Sequence, residues 1–163
     1  MTINITNNAY DQASAQMDSI IALVQALQCD YETLQDLQDT YGSLEAEAVR
    51  DWPEAAQLDE LLAEAEGCTN EDEARERILE DALSVEVRSA WTIAGEPLEA
   101  SEFAILLCTG GPAVRIRGEL SEYGEPARAW LEYQDWGTPW MEYHGVNADQ
   151  EALLAYASCF IFV

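Results

Sequence analysis

The sequence has no lysine, and seven arginines and one histidine are its only basic side chains. Against them stand 32 aspartates and glutamates, which give a formal net charge of −25 over 163 residues. A folded surface of this sign repels polyanions, so DNA, RNA and anionic membranes are unfavourable direct ligands. The partner that this charge favours is a basic protein surface.

The chain also lacks the usual signs of export, membrane insertion and metal binding. Its start has no basic stretch followed by an apolar segment, and no apolar run approaches the roughly 20 residues of a membrane span. The cysteines form no Cys-x-x-Cys pair and have no histidines nearby, so neither a zinc site nor any other metal or cofactor is expected. We predict a cytoplasmic protein with buried, free thiols. The cysteines are Cys29, Cys68, Cys108 and Cys159.

The acidity is concentrated in the first half of the chain. Residues 11–82 hold 20 acids against three arginines, a net charge of −17, while residues 83–163 hold 12 acids against four arginines, a net charge of −8. A GC-rich genome would explain arginine in place of lysine, and adaptation to high salt would explain general acidity. Neither explains the uneven distribution, which favours a localised acidic surface.

The first half has the periodicity of amphipathic helices. Apolar residues recur at three- and four-residue spacing over residues 11–27 and 31–44, which predicts two helices folded back on each other as a hairpin. Pro53 suits the first turn of a short third helix that Gly67 ends, and Thr69 is the predicted N-cap of a fourth.

After Leu83 the period changes to two, which is typical of strands. The first strand is predicted to be half-buried, because more polar residues alternate with Val85, Val87, Ser89, Trp91 and Ile93. Three further runs lie at residues 102–109, 113–120 and 127–133. Residues 136–143 fit a fifth strand or an ordered loop, and residues 149–157 fit a short helix. Tight turns between consecutive strands predict an antiparallel meander of four to five strands.

The predicted fold class is therefore α+β, with an N-terminal helical hairpin and short helices followed by the meander and a C-terminal helix. We expect an acidic helical region at residues 1–83 and a sheet region at residues 84–163, or a single compact unit that combines them.

The acids of the helices lie opposite their apolar stripes, where they would form an anionic surface. Duplex DNA carries one charge per about 1.7 Å of axis, and side-by-side helices with this content come within about a factor of two of that density. The alternative is an acidic face that serves solubility alone. The acids predicted to bind a partner are Asp30, Glu32, Asp36, Asp39, Glu45, Glu47, Glu54, Asp59, Glu60, Glu64, Glu66, Asp72, Glu73, Glu76 and Glu80.

A second candidate surface is the aromatic stretch at residues 130–144. It has more rings than one sheet face accommodates, so Trp136 and Trp140 are predicted as exposed interface anchors, with burial on both sheet faces as the alternative. The single histidine, His144, has no nucleophile in a recognisable motif beside it, which argues against an enzyme. The Gly110-Gly111-Pro112 segment lies between two strands and is predicted as a turn.

Four segments carry a resemblance to a known family, and they read DALSVEVRS (81–89), ILLCTGGPAVRIRGEL (105–120), RAWLEYQDWGTPW (128–140) and LLAYASCF (153–160). They resemble a family of small acidic proteins of unassigned function carried on integrative elements and plasmids of proteobacteria. The helices match that family only in character, and the ending Phe160-Ile161-Phe162-Val163 departs from the glycine and acid with which its members finish. The resemblance implies a mobile-element setting.

The sequence thus leads to one main functional hypothesis and two rivals. The first is a non-enzymatic inhibitor that mimics nucleic acid and occupies the basic groove of a host defence nuclease or of a CRISPR or restriction complex. The second is an adaptor or regulatory module that binds proteins through the aromatic sheet surface, and the third is a small hydrolase at His144. A homodimer formed through the helices is a further hypothesis.

Overall fold

The computed structural model describes residues 8–163, with the backbone alone at Ala46. These residues form six helices and five strands, and the α+β class predicted from the sequence is confirmed. The elements are α1 (Asn8–Gln28), α2 (Tyr31–Tyr41), α3 (Ala46–Val49), α4 (Pro53–Glu64), α5 (Glu71–Asp81), β1 (Ser84–Ser89), β2 (Ala100–Cys108), β3 (Ala113–Leu120), β4 (Pro126–Gln134), β5 (Met141–Glu142) and α6 (Gln150–Ala157).

The described residues divide into two compact units. The acidic unit is Ala22–Arg77, and the sheet unit comprises residues 8–21 together with Ile78–Val163. The expected sequence boundary lay after residue 83; in the structure the first part of α1 groups with the sheet instead. Because segments of the sheet unit precede and follow it in the sequence, the acidic unit is an insertion in the sheet unit.

The sheet unit is an antiparallel meander in which the strands are ordered as they occur in the sequence, from β1 to β5. One face forms the core, because alternate residues of β2, β3 and β4 are buried. Helix α6 packs against β4, the ring of Tyr10 in α1 lies 5.8 Å from that of Tyr133, and Phe162 contacts Phe103 with ring centroids 4.5 Å apart. The other face, which we call the open face, carries charged and polar side chains.

Strand β1 is shorter than its sequence pattern predicts. The alternation extends to Ile93, but the strand ends at Ser89, which pairs with Ala100 at the beginning of β2. Beyond this point the chain has no strand beside it in the described structure, and Trp91 and Ile93 are exposed and not half-buried as the pattern predicted. The fifth strand, which the sequence left open, consists of two residues.

The acidic unit has a small apolar core. Helix α2 packs chiefly against α4 rather than folding back along α1, and Leu34 of α2 shares a buried cluster with Leu61 and Ala65. A second cluster joins Ala26 to Cys68 and Ala74. Pro53 is the first residue of α4, as predicted, and Gly42 follows the last residue of α2.

The predicted N-cap of α5 is displaced by one residue. The side-chain oxygen of Asn70, not that of Thr69, accepts a hydrogen bond of 2.8 Å from the backbone N–H of Glu73. Thr69 donates from its own backbone N–H and hydroxyl to the Glu73 carboxylate. The prediction was therefore wrong about which side chain caps the helix, and it placed the start of the helix one residue too early.

The four cysteines are free thiols, of which Cys29 and Cys68 are buried and Cys108 and Cys159 are half-buried. The expectation of complete burial was thus wrong for two of them. Among residues 8–163 no helix is long and apolar enough to cross a membrane.

Candidate partner-binding surfaces

The acidic unit concentrates the charge of the protein. Its residues hold 16 aspartates and glutamates against three arginines, a net charge of −13 over 56 residues. The remaining 107 residues hold the other 16 acids against four arginines, a net charge of −12. The charge per residue is therefore about twice as high in the acidic unit.

Most of the acids predicted to bind a partner are exposed in this unit. Glu54, Glu64 and Glu73 are half-buried, and the others are exposed, from Asp30 at the start of α2 to Glu76 in α5. Glu80 is the exception in location, because it belongs to the sheet unit. All the predicted acids except Glu80 thus lie in the acidic unit.

The three arginines of the acidic unit are engaged within the unit. Arg75 forms an ion pair of 2.8 Å with Glu71, and Arg50 lies 3.6 Å from Asp51. Arg77 donates a 2.6 Å hydrogen bond to the backbone carbonyl of Glu66. Three cations cannot neutralise 16 carboxylates, so this surface stays strongly negative.

Two of the predicted acids also have a structural role at helix starts. Asp30 accepts hydrogen bonds from the backbone N–H and the hydroxyl of Thr33, and these bonds hold its pKa below its usual value. The pKa of Glu73 is lowered in the same way by the two hydrogen bonds from Thr69. Both carboxylates remain ionised at neutral pH and stabilise a helix N-terminus.

The open face of the sheet is the second surface, and it carries all four arginines of the sheet unit. Neighbouring strands supply their partners, since Arg88, Arg115, Arg117 and Arg128 each form an ion pair with a glutamate of an adjacent strand. Glu102 of β2 binds both Arg88 and Arg117, and Glu119 of β3 binds Arg128. Here positive and negative charges nearly balance.

The best shielded ion pair on the open face joins Arg115 and Glu132. The Arg115 Nε and Nη2 atoms each lie 2.7 Å from Glu132 Oε2, and its guanidinium stacks 4.0 Å above the ring of Trp140. Glu132 also accepts a 2.9 Å hydrogen bond from the indole of Trp130. The sequence interpretation missed this group. The sequence feature that could have revealed it is the placing of arginines at alternate positions of residues 113–120, followed by an acid in the next strand.

The two tryptophans predicted as anchors have different environments. Trp136 is 78% exposed at a turn after β4 and borders a shallow cavity of about 240 Å³ with Gly111 and Gln134. Trp140 is half-buried because it lies under Arg115. Of these two tryptophans, Trp136 therefore presents the more exposed ring to a partner.

His144 is exposed, and its Nε2 atom lies 3.9 Å from Glu142 Oε2. Both side chains of that pair are exposed to solvent. Across the described part of the chain, no group of three or more His, Cys, Asp or Glu side chains is arranged to hold a metal ion.

Comparison of the chain with protein-family models, with curated proteins and with solved structures gives no match.

Proposed function

We propose that this protein is a non-enzymatic inhibitor that mimics nucleic acid. Its acidic unit would occupy the basic nucleic-acid-binding groove of a host defence nuclease or of a CRISPR or restriction complex in the cytoplasm. The observation that carries the proposal is the net charge of −13 on Ala22–Arg77, whose three arginines are already bound within the unit. The resemblance to mobile-element proteins agrees with such a target.

The physical basis of this function is electrostatic attraction to a cationic groove. A groove that binds a polynucleotide carries a dense positive potential, and a folded polyanion competes for it without offering a cleavable backbone. Association with such a groove should be fast and should weaken as salt rises, because the Debye length falls from about 10 Å at 0.1 M to about 3 Å at 1 M.

The test compares two variants with the same change of charge. In the first, four exposed acids of α2 and α4 are neutralised, as Glu32→Gln, Asp36→Asn, Asp59→Asn and Glu60→Gln. In the matched control, four exposed acids of sheet-unit loops are neutralised, as Glu96→Gln, Glu99→Gln, Glu122→Gln and Glu125→Gln. Each variant is titrated against a purified CRISPR effector nuclease and a purified restriction complex, and inhibition of DNA cleavage is measured from 50 mM to 500 mM NaCl.

The proposal predicts that the wild type inhibits one of these enzymes and that inhibition weakens with salt. The acidic-unit variant should lose at least about tenfold in affinity, and the loop variant should lose much less. Equal losses of affinity in the two variants would show that net charge alone, and not the acidic unit, causes the inhibition. Salt-independent inhibition would contradict mimicry.

A second candidate function rests on the exposure of Trp136. An exposed tryptophan beside a cavity is a typical interface anchor, and it fits an adaptor or regulatory module that binds proteins through the sheet unit. Under this alternative, Trp136→Ala weakens partner binding more than the four neutralised acids do. Tyr123→Ala, at an exposed ring elsewhere in the sheet unit, is the matched control.

A further inference from the structure

Strand β1 is an accessible edge of the sheet. Edge strands expose unpaired backbone N–H and C=O groups, which proteins normally block with short strands, lysine, proline or a covering segment. On the opposite side of the sheet, β5 is only two residues long and pairs with Glu132 and Tyr133 of β4. In contrast, β1 has six residues without proline, all of them exposed except Ser89; its charges, Glu86 and Arg88, have opposite signs, and its one register irregularity lies at its end. No described strand pairs with its outer edge, which can accept a further strand.

The apolar side chains of this edge are also uncovered. Val85 and Val87 pair with Ile105 and Phe103, which are buried, so both valines lie on the core face of the sheet. They are nevertheless 39% and 45% exposed. Leu83 before the strand is 59% exposed, and Trp91 after it is fully exposed. Among residues 8–163, the core face therefore ends at β1 without a neighbour.

We propose that a second copy of this chain pairs with β1 in antiparallel orientation, about a two-fold axis at Val87. Antiparallel strands related by such an axis are self-complementary when each charge meets its opposite. An axis at Val87 places Glu86 opposite the partner's Arg88, and Arg88 opposite the partner's Glu86. Both ion pairs lie on the open face.

The same register joins three of these four exposed apolar side chains on the core face, while Val85 faces the partner's Ser89. Val87 meets its own copy on the axis, and Leu83 meets the partner's Trp91 when the strand is prolonged by two residues. This prolongation accounts for the strand-like alternation that continues beyond Ser89 although β2 provides no partner there. The missing strand would come from the second copy.

Neighbouring registers are unfavourable. An axis at Glu86 puts two glutamates face to face, and an axis at Arg88 does the same with two arginines. An axis between two residues would set core-face side chains against open-face ones. Axes at Val85 or Ser89 also keep core-face residues together, but they place Glu86 opposite Ser84 or Thr92. Of the core-face axes within β1, only that at Val87 sets Glu86 against Arg88, so the charges select the register.

The net charge of −25 on each copy opposes this association. Added salt screens that repulsion, so the dimer should become stronger as NaCl rises. The proposed inhibition of a basic target weakens under the same change. This opposite salt dependence separates the two proposals, and the dimer does not rest on the proposed function.

The test measures mass by sedimentation equilibrium at 0.5 M NaCl, up to about 500 µM protein, which detects even weak association. The wild type should reach twice the chain mass of 18.1 kDa. Val87→Glu places two carboxylates on the axis and should weaken the dimer at least about tenfold. Tyr123→Glu adds the same charge at an exposed turn and should leave the dimer unchanged.

Charge exchange tests the register. Glu86→Arg alone and Arg88→Glu alone should each be monomeric, whereas an equimolar mixture should form a heterodimer, in which every cross-strand pair is attractive. Because Arg88 also binds Glu102, thermal melting followed by circular dichroism checks that each variant is folded. The double variant Glu86→Arg/Arg88→Glu should dimerise with itself.

A wild type that remains monomeric would overturn the proposal. A dimer that resists Val87→Glu, as one formed through the helices would, also overturns it, and so does a mixture that stays monomeric.

Discussion

The acidic unit and the sheet unit have the same number of carboxylates and use them differently. In the sheet unit, Glu102, Glu119 and Glu132 bind the arginines of neighbouring strands, and the open face is nearly neutral. In the acidic unit the few arginines are held by Asp51, Glu71 and a backbone carbonyl. Carboxylates therefore give a strongly negative surface potential only where the same surface has too few arginines to neutralise them.

The two units also differ in the size of their cores. The sheet unit buries large side chains such as Phe103, Ile116, Leu131 and Tyr156, whereas the clusters of the acidic unit consist mainly of alanine, cysteine and leucine. Since it buries less apolar surface and carries more repulsion per residue, we expect the acidic unit to unfold first.

The largest effect should come from truncating the sheet core. Phe103→Ala removes a ring that is 1% exposed and should cost about 3–5 kcal/mol of unfolding free energy. Leu61→Ala, at the edge of a smaller cluster, should cost about 2 kcal/mol. Segment-resolved hydrogen exchange should place each loss of protection in its own unit. Equal loss of protection in both units after Leu61→Ala would show that they unfold as one.

Breaking the central ion pair of the open face should have the next largest effect. Arg115→Ala leaves Glu132 shielded and without its cation, and should cost about 2 kcal/mol in urea unfolding. Arg115→Lys keeps the charge but loses the two-pronged geometry and should cost less. Arg88→Ala, at an exposed arginine of the same face, should cost less than about 1 kcal/mol. A similar cost at Arg88 and Arg115 would contradict the role of shielding.

The N-terminus of α5 provides a smaller effect within the acidic unit. Asn70→Ala leaves the backbone N–H of Glu73 without its side-chain acceptor and should cost about 1 kcal/mol. Thermal melting at neutral pH measures the loss, and Asn70→Asp, which keeps an acceptor oxygen, should retain most of the stability. An unchanged melting temperature in Asn70→Ala would assign the cap to another residue.

The same helix start should give a pH signature. Because the folded pKa of Glu73 is lowered from its ordinary value of 4.5, its stabilisation is present above that value and is lost as the pH falls through the folded pKa. Glu73→Gln should therefore destabilise the protein at pH 7 and have little effect at acid pH. Denaturant titrations across this range measure the difference, and a constant difference would exclude the ionised carboxylate as the cause.

The smallest effect should be a gain in stability. Glu76 lies four residues after Asp72 on α5, and two like charges at this spacing repel each other. Glu76→Lys makes the pair attractive and should stabilise the protein by about 0.5 kcal/mol. Glu96→Lys, in a loop, changes the net charge by the same amount without such a pair. An equal gain there would attribute the effect to net charge alone.

The sequence pattern predicted local structure well where it depends on one segment. The bounds of β3 agree with the alternation over residues 113–120, and Pro53 begins α4 as its fixed backbone angle favours. The end of β1 could not be predicted from its own segment, because it depends on where β2 begins to pair with it. Helix periodicity likewise identified the buried stripe of α2 but not α4 as its main packing partner.

The candidate surfaces show the same limit. The acidic positions follow directly from composition, and their exposure from the opposite apolar stripe. The ion pairs of the open face depend on cross-strand register, because Arg115 meets Glu132 only when β3 and β4 are aligned as they are. The stacking of Arg115 on Trp140 depends in turn on the loop before β5, so Trp140 was predicted as a free anchor.

The two-residue length of β5 has a consequence for assembly. A sheet with two usable edges can add copies at both ends and grow into a fibre, whereas a sheet with one usable edge closes after a single isologous contact. The proposed pairing at β1 is isologous and uses that edge in both chains, so growth would continue only through the other side of the sheet, where β5 is two residues long and pairs with Glu132 and Tyr133 of β4. An accessible β1 therefore need not make this protein prone to amyloid-like polymerisation.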